Sequence, residues 1–160
     1  MQSAGFEALS PSHATPTARG EALMRRAIGA AAAIASGALL TVAALLTPSE
    51  TGLGTHTQLL STPCAWITGV DCPCPTCGMT TSFAHAADGN LIASFVTQPM
   101  GAMLAVATAM TFLLGSFTAV TGSRIAHRLT RLWRPRMVWV IAALVLGAWI
   151  YKIIWYKGWL

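Results

Sequence analysis

Residues 27–47 read "AIGAAAAIASGALLTVAALLT", 21 positions without a charged side chain. At about 1.5 Å per residue, a helix of that length covers roughly 31 Å, the thickness of a bilayer's hydrocarbon core. Arg25 and Arg26 stand immediately before it. A signal peptide has a similar layout, but this run is longer than a signal-peptide core, and "LLTPSE" offers no clear small-residue cleavage site. The segment is therefore expected to stay as a membrane span. Gly29, Ala33 and Gly37 recur every four residues and give it one smooth face for close helix packing.

Two further runs have the same character. Residues 99–120, "PMGAMLAVATAMTFLLGSFTAV", open on a proline, which suits the first position of a helix because no intrahelical donor is needed there. Gln98 before it is pushed towards extended backbone, so Pro99 should start a new helix rather than kink a longer one. Gly101, Ala105 and Ala109 make a second small-residue face, a partner for the first helix or for another membrane protein. Residues 138–156 form the third span, with Trp139 at one end and Trp155, Tyr156 and Trp159 at the other, as interfacial aromatic belts do. Lys152 is expected to snorkel to the nearby surface.

Composition agrees with a single membrane unit. Hydrophobic residues make up 54% of the 160-residue chain and charged residues 9%, against about 25% charged in soluble domains. The net charge of +5 does not point to nucleic acid, because the basic residues flank apolar runs instead of forming a basic face. Arg25 and Arg26 precede the first span, and Arg124, Arg128, Arg131, Arg134 and Arg136 lie between the second and third. Between Ala27 and Ser123 there is no Lys or Arg. The positive-inside rule then puts the N-terminus and the basic loop, residues 122–136, in the cytoplasm, and residues 48–98 outside. Lys152 and Lys157 dissent by falling outside as well. Residues 1–24, rich in Ser, Thr, Pro and Ala, read as a disordered cytoplasmic tail. Residues 25–160 read as one domain lying in the bilayer of the cytoplasmic membrane. In the basic loop, Ile125, Leu129, Leu132 and Trp133 fall on one helical stripe, as in a helix lying on anionic headgroups.

The external loop holds every cysteine: Cys64, Cys72, Cys74 and Cys77, within fourteen residues. Three chemistries use these atoms. Disulfides form and persist outside the cytoplasm, and four cysteines allow three pairings. Cys74 and Cys77, two residues apart at an expected helix start, should act as one unit, bonded to each other or on one metal. Proline between Cys72 and Cys74 holds those two apart, so Cys72 would turn to Cys64. A metal reading takes Cys72, Cys74, Cys77 and His85 as ligands, since soft thiolates select zinc or copper(I). A redox reading makes Cys74 and Cys77 catalytic, because backbone N–H groups at a helix start favour a thiolate. A Gly-rich phosphate loop, HExxH and GxSxG are all lacking, so hydrolase and phosphotransferase readings have no support.

Within 63–103 the chain resembles a large bacterial family of small multi-pass membrane proteins, a domain of unknown function. The family shows a leading Cys, a Gly, then "CPxCGxTR", a short helix ending in Gly, and an "NP" step into the next span. Cys64, Gly69, "CPTCGMTT" at 74–81, Gly89 and Gln98-Pro99 follow that order. Thr81 stands where the family has Arg, Gln98 where it has Asn, and Cys72 is added to the usual three cysteines. The resemblance implies the membrane topology and no particular activity.

The expected fold is thus an all-α membrane protein with three spans. Short interfacial helices near 78–87 and 91–97 should carry the cysteines at the membrane surface, under Trp66, Phe83 and Phe95. The expected function is that of a non-enzymatic accessory protein with a compact Cys-rich site, disulfide-stapled or loaded with a soft metal. The alternative is a membrane thiol–disulfide oxidoreductase.

Overall fold

The structure, a computed structural model, describes residues 16–59, 62, 64–124 and 135–158. In chain order these form α1 (Pro16–Leu45), a 3₁₀ turn (Thr55–Gln58), α2 (Ala65–Val70), α3 (Met79–Ala87), α4 (Leu91–Thr97), α5 (Pro99–Thr121) and α6 (Pro135–Tyr156). Three of these helices are long and apolar enough to cross a membrane, over Arg19–Leu45, Pro99–Thr121 and Met137–Tyr156. The all-α architecture, with short helices between the long ones, is the one read from the sequence. Helix α1 begins at Pro16, so 16–24 extend the first helix, where a tail was expected. An i,i+4 pair, Glu21 with Arg25 at 3.4 Å, supports that extra turn. Residues 1–15 and the expected amphipathic stretch of the basic loop at 125–134 lie outside the described residues.

Large apolar side chains point outward, the reverse of a soluble core. Ile34 is 73% exposed, Leu45 79% and Trp139 79%, a surface that hydrocarbon can solvate and water cannot.

Helices α1 and α5 pack along each other as a hairpin, and small residues set their separation. A Cβ placed on Gly29 would lie 2.8 Å from the backbone nitrogen of Ala119 and 2.9 Å from the carbonyl oxygen of Gly115. A Cβ on Gly115 would meet the Gly29 carbonyl oxygen at 2.9 Å. The two backbones are thus in contact, which is how helices gain dispersion energy where lipid removes the hydrophobic drive. Gly37 makes room for the Phe112 ring on the same interface. The Gly29 face is therefore used within the chain. Its partner is Gly115, at the other end of α5 from Gly101. Gly101 packs against α3, where a Cβ would come within 2.8 Å of Ser82. At the far end of the hairpin, Arg25 Nε donates to the Gly122 carbonyl at 3.0 Å.

The break at Pro99 occurs as expected. Helix α4 ends at Thr97, Gln98 is extended (φ −159°, ψ 102°), and α5 starts at the proline. The corner is closed by hydroxyls: Ser82 Oγ reaches the carbonyls of Ser94 and Gln98 at 2.9 and 3.1 Å, and Ser94 Oγ donates to the Ser82 carbonyl at 2.7 Å. All of these groups are buried, so each bond removes a desolvation cost that would otherwise fall on the fold.

Helix α6 is held differently. Residues 137–144 of it are exposed, and its second half meets the loop between α1 and α5 through polar atoms. Trp149 Nε1 donates to the Pro73 carbonyl at 3.0 Å, Tyr151 Oη to the Val96 carbonyl at 2.9 Å, and Tyr156 Oη to Asp71 at 2.9 Å. Lys152 does not snorkel. It is 0% exposed, with Nζ donating to the carbonyls of Thr97 at 2.9 Å and Gly52 at 3.3 Å. Those carbonyls, left free where α4 ends and where the chain turns at Gly52, capture the ammonium before it can reach the surface.

Candidate functional site

Proline and glycine shape the turn that carries the central cysteines. Pro73 and Pro75 fix φ on either side of Cys74, and the Cys77 N–H closes a turn onto the Cys74 carbonyl at 3.0 Å. Gly78 then takes the left-handed conformation (φ 86°, ψ −3°) and α3 starts at Met79. A side chain at Gly78 would be strained by that φ, and its Cβ would lie 2.8 Å from the Gly52 carbonyl oxygen. The turn is held from outside at two points, the Pro73 carbonyl by Trp149 and the Pro75 carbonyl by Gln98 Nε2 at 3.3 Å. Gln98 Oε1 is buried and has no hydrogen-bond partner among the described residues.

Three sulfurs converge on this turn. The Sγ atoms of Cys64, Cys74 and Cys77 all lie within 4.8 Å of one another. Cys74 and Cys77 are 2.8 Å apart, Cys77 and Cys64 3.4 Å, and the Cys74 N–H points at the Cys77 sulfur at 3.1 Å. Cys64 reaches the cluster from the N-cap of α2, where its carbonyl accepts the N–H groups of Ile67 and Thr68.

The electrostatics separate the three. Burial works against a Cys64 thiolate, yet the N–H of Ile67, the Cys77 thiol, the N–H of Trp66 and the Cys74 thiol all favour it. Together they bring its pKa down to about 7. Cys77 is pushed the other way, first by burial and then by acting as hydrogen-bond partner to Cys74 and Cys64. A negative charge in the cluster therefore rests first on Cys64.

Cys72 and His85 are not brought in. Helix α2 lies between Cys64 and Cys72, and the group of neighbouring sulfurs takes in Cys64, Cys74 and Cys77. Asp71, in the left-handed conformation (φ 48°), turns the chain at the end of α2, and Cys72 Sγ is left against the Pro73 carbonyl at 3.8 Å. His85 sits in the last turn of α3, roughly 9 Å of helix rise beyond Met79. The helix also starts two residues after Cys77, so the sulfur is served by the Cys74 N–H rather than by the first turn of α3. Of the three aromatic residues expected as a lid, Phe83 lines the cavity over the cysteines. Trp66 instead stacks edge-on against Trp149 at 6.3 Å, and Phe95 faces a shallow apolar groove beside α5.

That cavity has a volume of about 520 Å³. One wall is α1, with Leu39, Val42 and Leu46; the opposite wall carries the three cysteines; His56 of the 3₁₀ turn also lines it. The thiols are thus reached through a largely apolar space of small-molecule size. Sequence reasoning named the three cysteines but not their grouping, and it missed His56 and Lys152. Lys152 did carry a signal, being the single charge inside an aromatic-rich span.

Residues 63–112 match the family model described as protein of unknown function, DUF2752. The match takes in all four cysteines, α2 to α4 and the first half of α5. No curated protein and no solved structure matches the chain.

Proposed function

We propose that this chain is a membrane accessory protein whose Cys64, Cys74 and Cys77 together hold one soft metal ion at the outer membrane surface. One observation carries the reading: three sulfurs lie within 4.8 Å of one another. A disulfide engages two sulfurs and gives the third no reason to converge. Three thiolates around one ion use all three, and they suit copper(I), or zinc with a fourth position open towards the cavity. The outward placement rests on arginine bias: no Lys or Arg occurs between Ala27 and Ser123. Lys152 and Lys157 weigh little against it, because both make tertiary contacts, Lys152 with backbone carbonyls and Lys157 with Asp71 at 3.2 Å.

The test is intact-protein mass spectrometry of the chain purified in detergent, counting bound metal and free thiols together. One metal per chain is expected, lost on changing Cys64, Cys74 or Cys77 to Ser and kept in Cys72→Ser and His85→Ala. A metal-free chain with Cys74 and Cys77 bonded sinks this reading. That result favours thiol–disulfide exchange instead, which the 3.4 Å approach of Cys64 to Cys77 supports on its own. In that chemistry the Cys64 thiolate attacks the Cys77 sulfur, the Cys74–Cys77 bond breaks, and Cys74 leaves as the thiolate.

A further inference from the structure

Among the described residues one charged side chain is buried, and it lies beside the cysteine turn. Lys152 is 0% exposed. Its ammonium is partly solvated by two carbonyls and by the Trp155 ring, whose centroid is 4.4 Å from Nζ. Carbonyls and a ring face ease the burial of a cation but leave its charge unbalanced. Among the described residues the ion pairs are those of Glu21 and Asp71, and neither includes Lys152. What lies beside the ammonium is the cysteine turn. A Cβ built on Gly78, the residue after Cys77, would come within 3.0 Å of Lys152 Nζ.

Resting on the metal reading above, we infer that Lys152 is the built-in counter-cation of the three-sulfur centre. It is a positioning residue that α6 supplies to a site whose three sulfurs all come from the loop between α1 and α5. The charges add up: three thiolates, one divalent ion and one ammonium sum to zero, so a loaded centre with zinc is neutral in a place where net charge is expensive. The same contact ties the third helix to the metal, because the cation cannot leave the carbonyls of Gly52 and Thr97 without uncovering the centre.

The experiment titrates zinc into the purified, reduced chain against a chromophoric chelator. Lys152→Gln keeps a donor for the carbonyls and removes the charge; it should weaken zinc binding by about 10–100-fold, the usual effect of losing a group that supports metal ligands. Lys152→Arg keeps the charge and should stay close to wild type. Tyr151→Phe removes a neighbouring bond of α6 to the loop, at Val96, without touching charge, and should bind zinc as wild type does. Equal affinity in Lys152→Gln and wild type overturns the inference, as does a loss in Tyr151→Phe as large as that in Lys152→Gln. A wild-type chain that takes no zinc or copper(I) removes the metal reading itself and this inference with it. Should Lys152→Gln fail to fold, the wild type still decides. The chain has two lysines, and in ¹⁵N-lysine-labelled protein zinc should shift the Nζ resonance of Lys152 while leaving that of Lys157. An unmoved Lys152 signal overturns the inference.

Discussion

The α1–α5 hairpin and the docking of α6 solve the same problem in opposite ways. In the hairpin, glycines remove side chains until two backbones touch, and one arginine bond closes its far end. At α6, Trp149, Tyr151, Lys152 and Tyr156 reach into the loop and bond to its atoms, while the first half of the helix touches little. Close packing tolerates no added atom but is indifferent to pH and to what the cysteines do. Polar docking tolerates side-chain bulk elsewhere on the helix but depends on loop atoms, among them the Pro73 carbonyl of the cysteine turn. The hairpin is scaffold, and the α6 junction shares the chemistry of the site.

The largest expected effect breaks the first half of this comparison. Gly29→Leu cannot be placed without separating α1 from α5, because its Cβ alone would meet Ala119 and Gly115 backbone at 2.8–2.9 Å. The cost should exceed about 3 kcal/mol, beyond ordinary overpacking, since backbone and not a flexible side chain must yield. Gly147→Leu is the counterpart on α6, where nothing lies within 4 Å of a built Cβ. It should leave thermal stability in detergent unchanged or slightly raised, as a better helix former replaces glycine. Equal losses in the two variants would erase the distinction between the helices.

The second effect is smaller and belongs to the site. Trp149→Phe keeps a ring against Trp66 but removes the donor to the Pro73 carbonyl. An unsatisfied buried carbonyl costs about 1–3 kcal/mol. The loss should fall on the cysteine turn, read as faster maleimide labelling of Cys74 in metal-free protein, with hydrogen exchange in α1 and α5 unmoved. Slower labelling, or exchange that rises throughout the hairpin, would show that α6 supports the scaffold rather than the site.

What could be read in advance follows from the range of the forces involved. The spans depend on twenty-residue runs without charge, and the Gln98–Pro99 break on one dipeptide, so both are visible locally. The helix partner of Gly29 was not: Gly101 and Gly115 are equally small, and which one faces α1 depends on where the hairpin turns. The grouping of the cysteines was hidden for a related reason. Sequence proximity favoured Cys72, but α2 lies between Cys64 and Cys72, and a helix of six residues leaves little periodic signal. Lys152 was read as a surface group because the carbonyls that hold it, at Gly52 and Thr97, are 100 and 55 residues away in the chain.

A third prediction sharpens the contrast through pH. The Cys64 thiol is held at about 7 against an ordinary value of 9.0. A group whose pKa is lowered on folding stabilises the fold fully above its unfolded value and ceases to do so as pH falls through the folded one. In reduced, metal-free protein, hydrogen exchange at α2 and the cysteine turn should therefore rise as pH drops from 9 to 7, once the intrinsic rate is corrected for. The hairpin should not follow, and Cys64→Ser should flatten the response. A Cys64 that alkylates with a midpoint near its ordinary value would leave the junction as insensitive to pH as the hairpin.

The smallest effect is expected at the outermost contact of α6. Asp71 accepts from Tyr156 at 2.9 Å and pairs with Lys157 at 3.2 Å, and these partners hold its carboxyl below the ordinary range. The pair is exposed, so water and salt screen most of its attraction. Asp71 also adopts the left-handed conformation, φ 48° and ψ 44°, which asparagine accepts almost as readily. Asp71→Asn should thus leave the melting temperature at neutral pH unmoved, because Tyr156 keeps an acceptor and the turn keeps its shape. It should remove one acid-dependent contribution, since a lowered carboxylate stabilises above its unfolded value and is lost as pH falls through the folded one. Asp71→Val, which keeps neither the acceptor nor an easy left-handed backbone, should release the end of α2 and speed labelling of Cys72. If asparagine does as much damage as valine, charge and not backbone geometry holds this end of the junction, and α6 is docked by ion pairing rather than by hydrogen bonds to the loop.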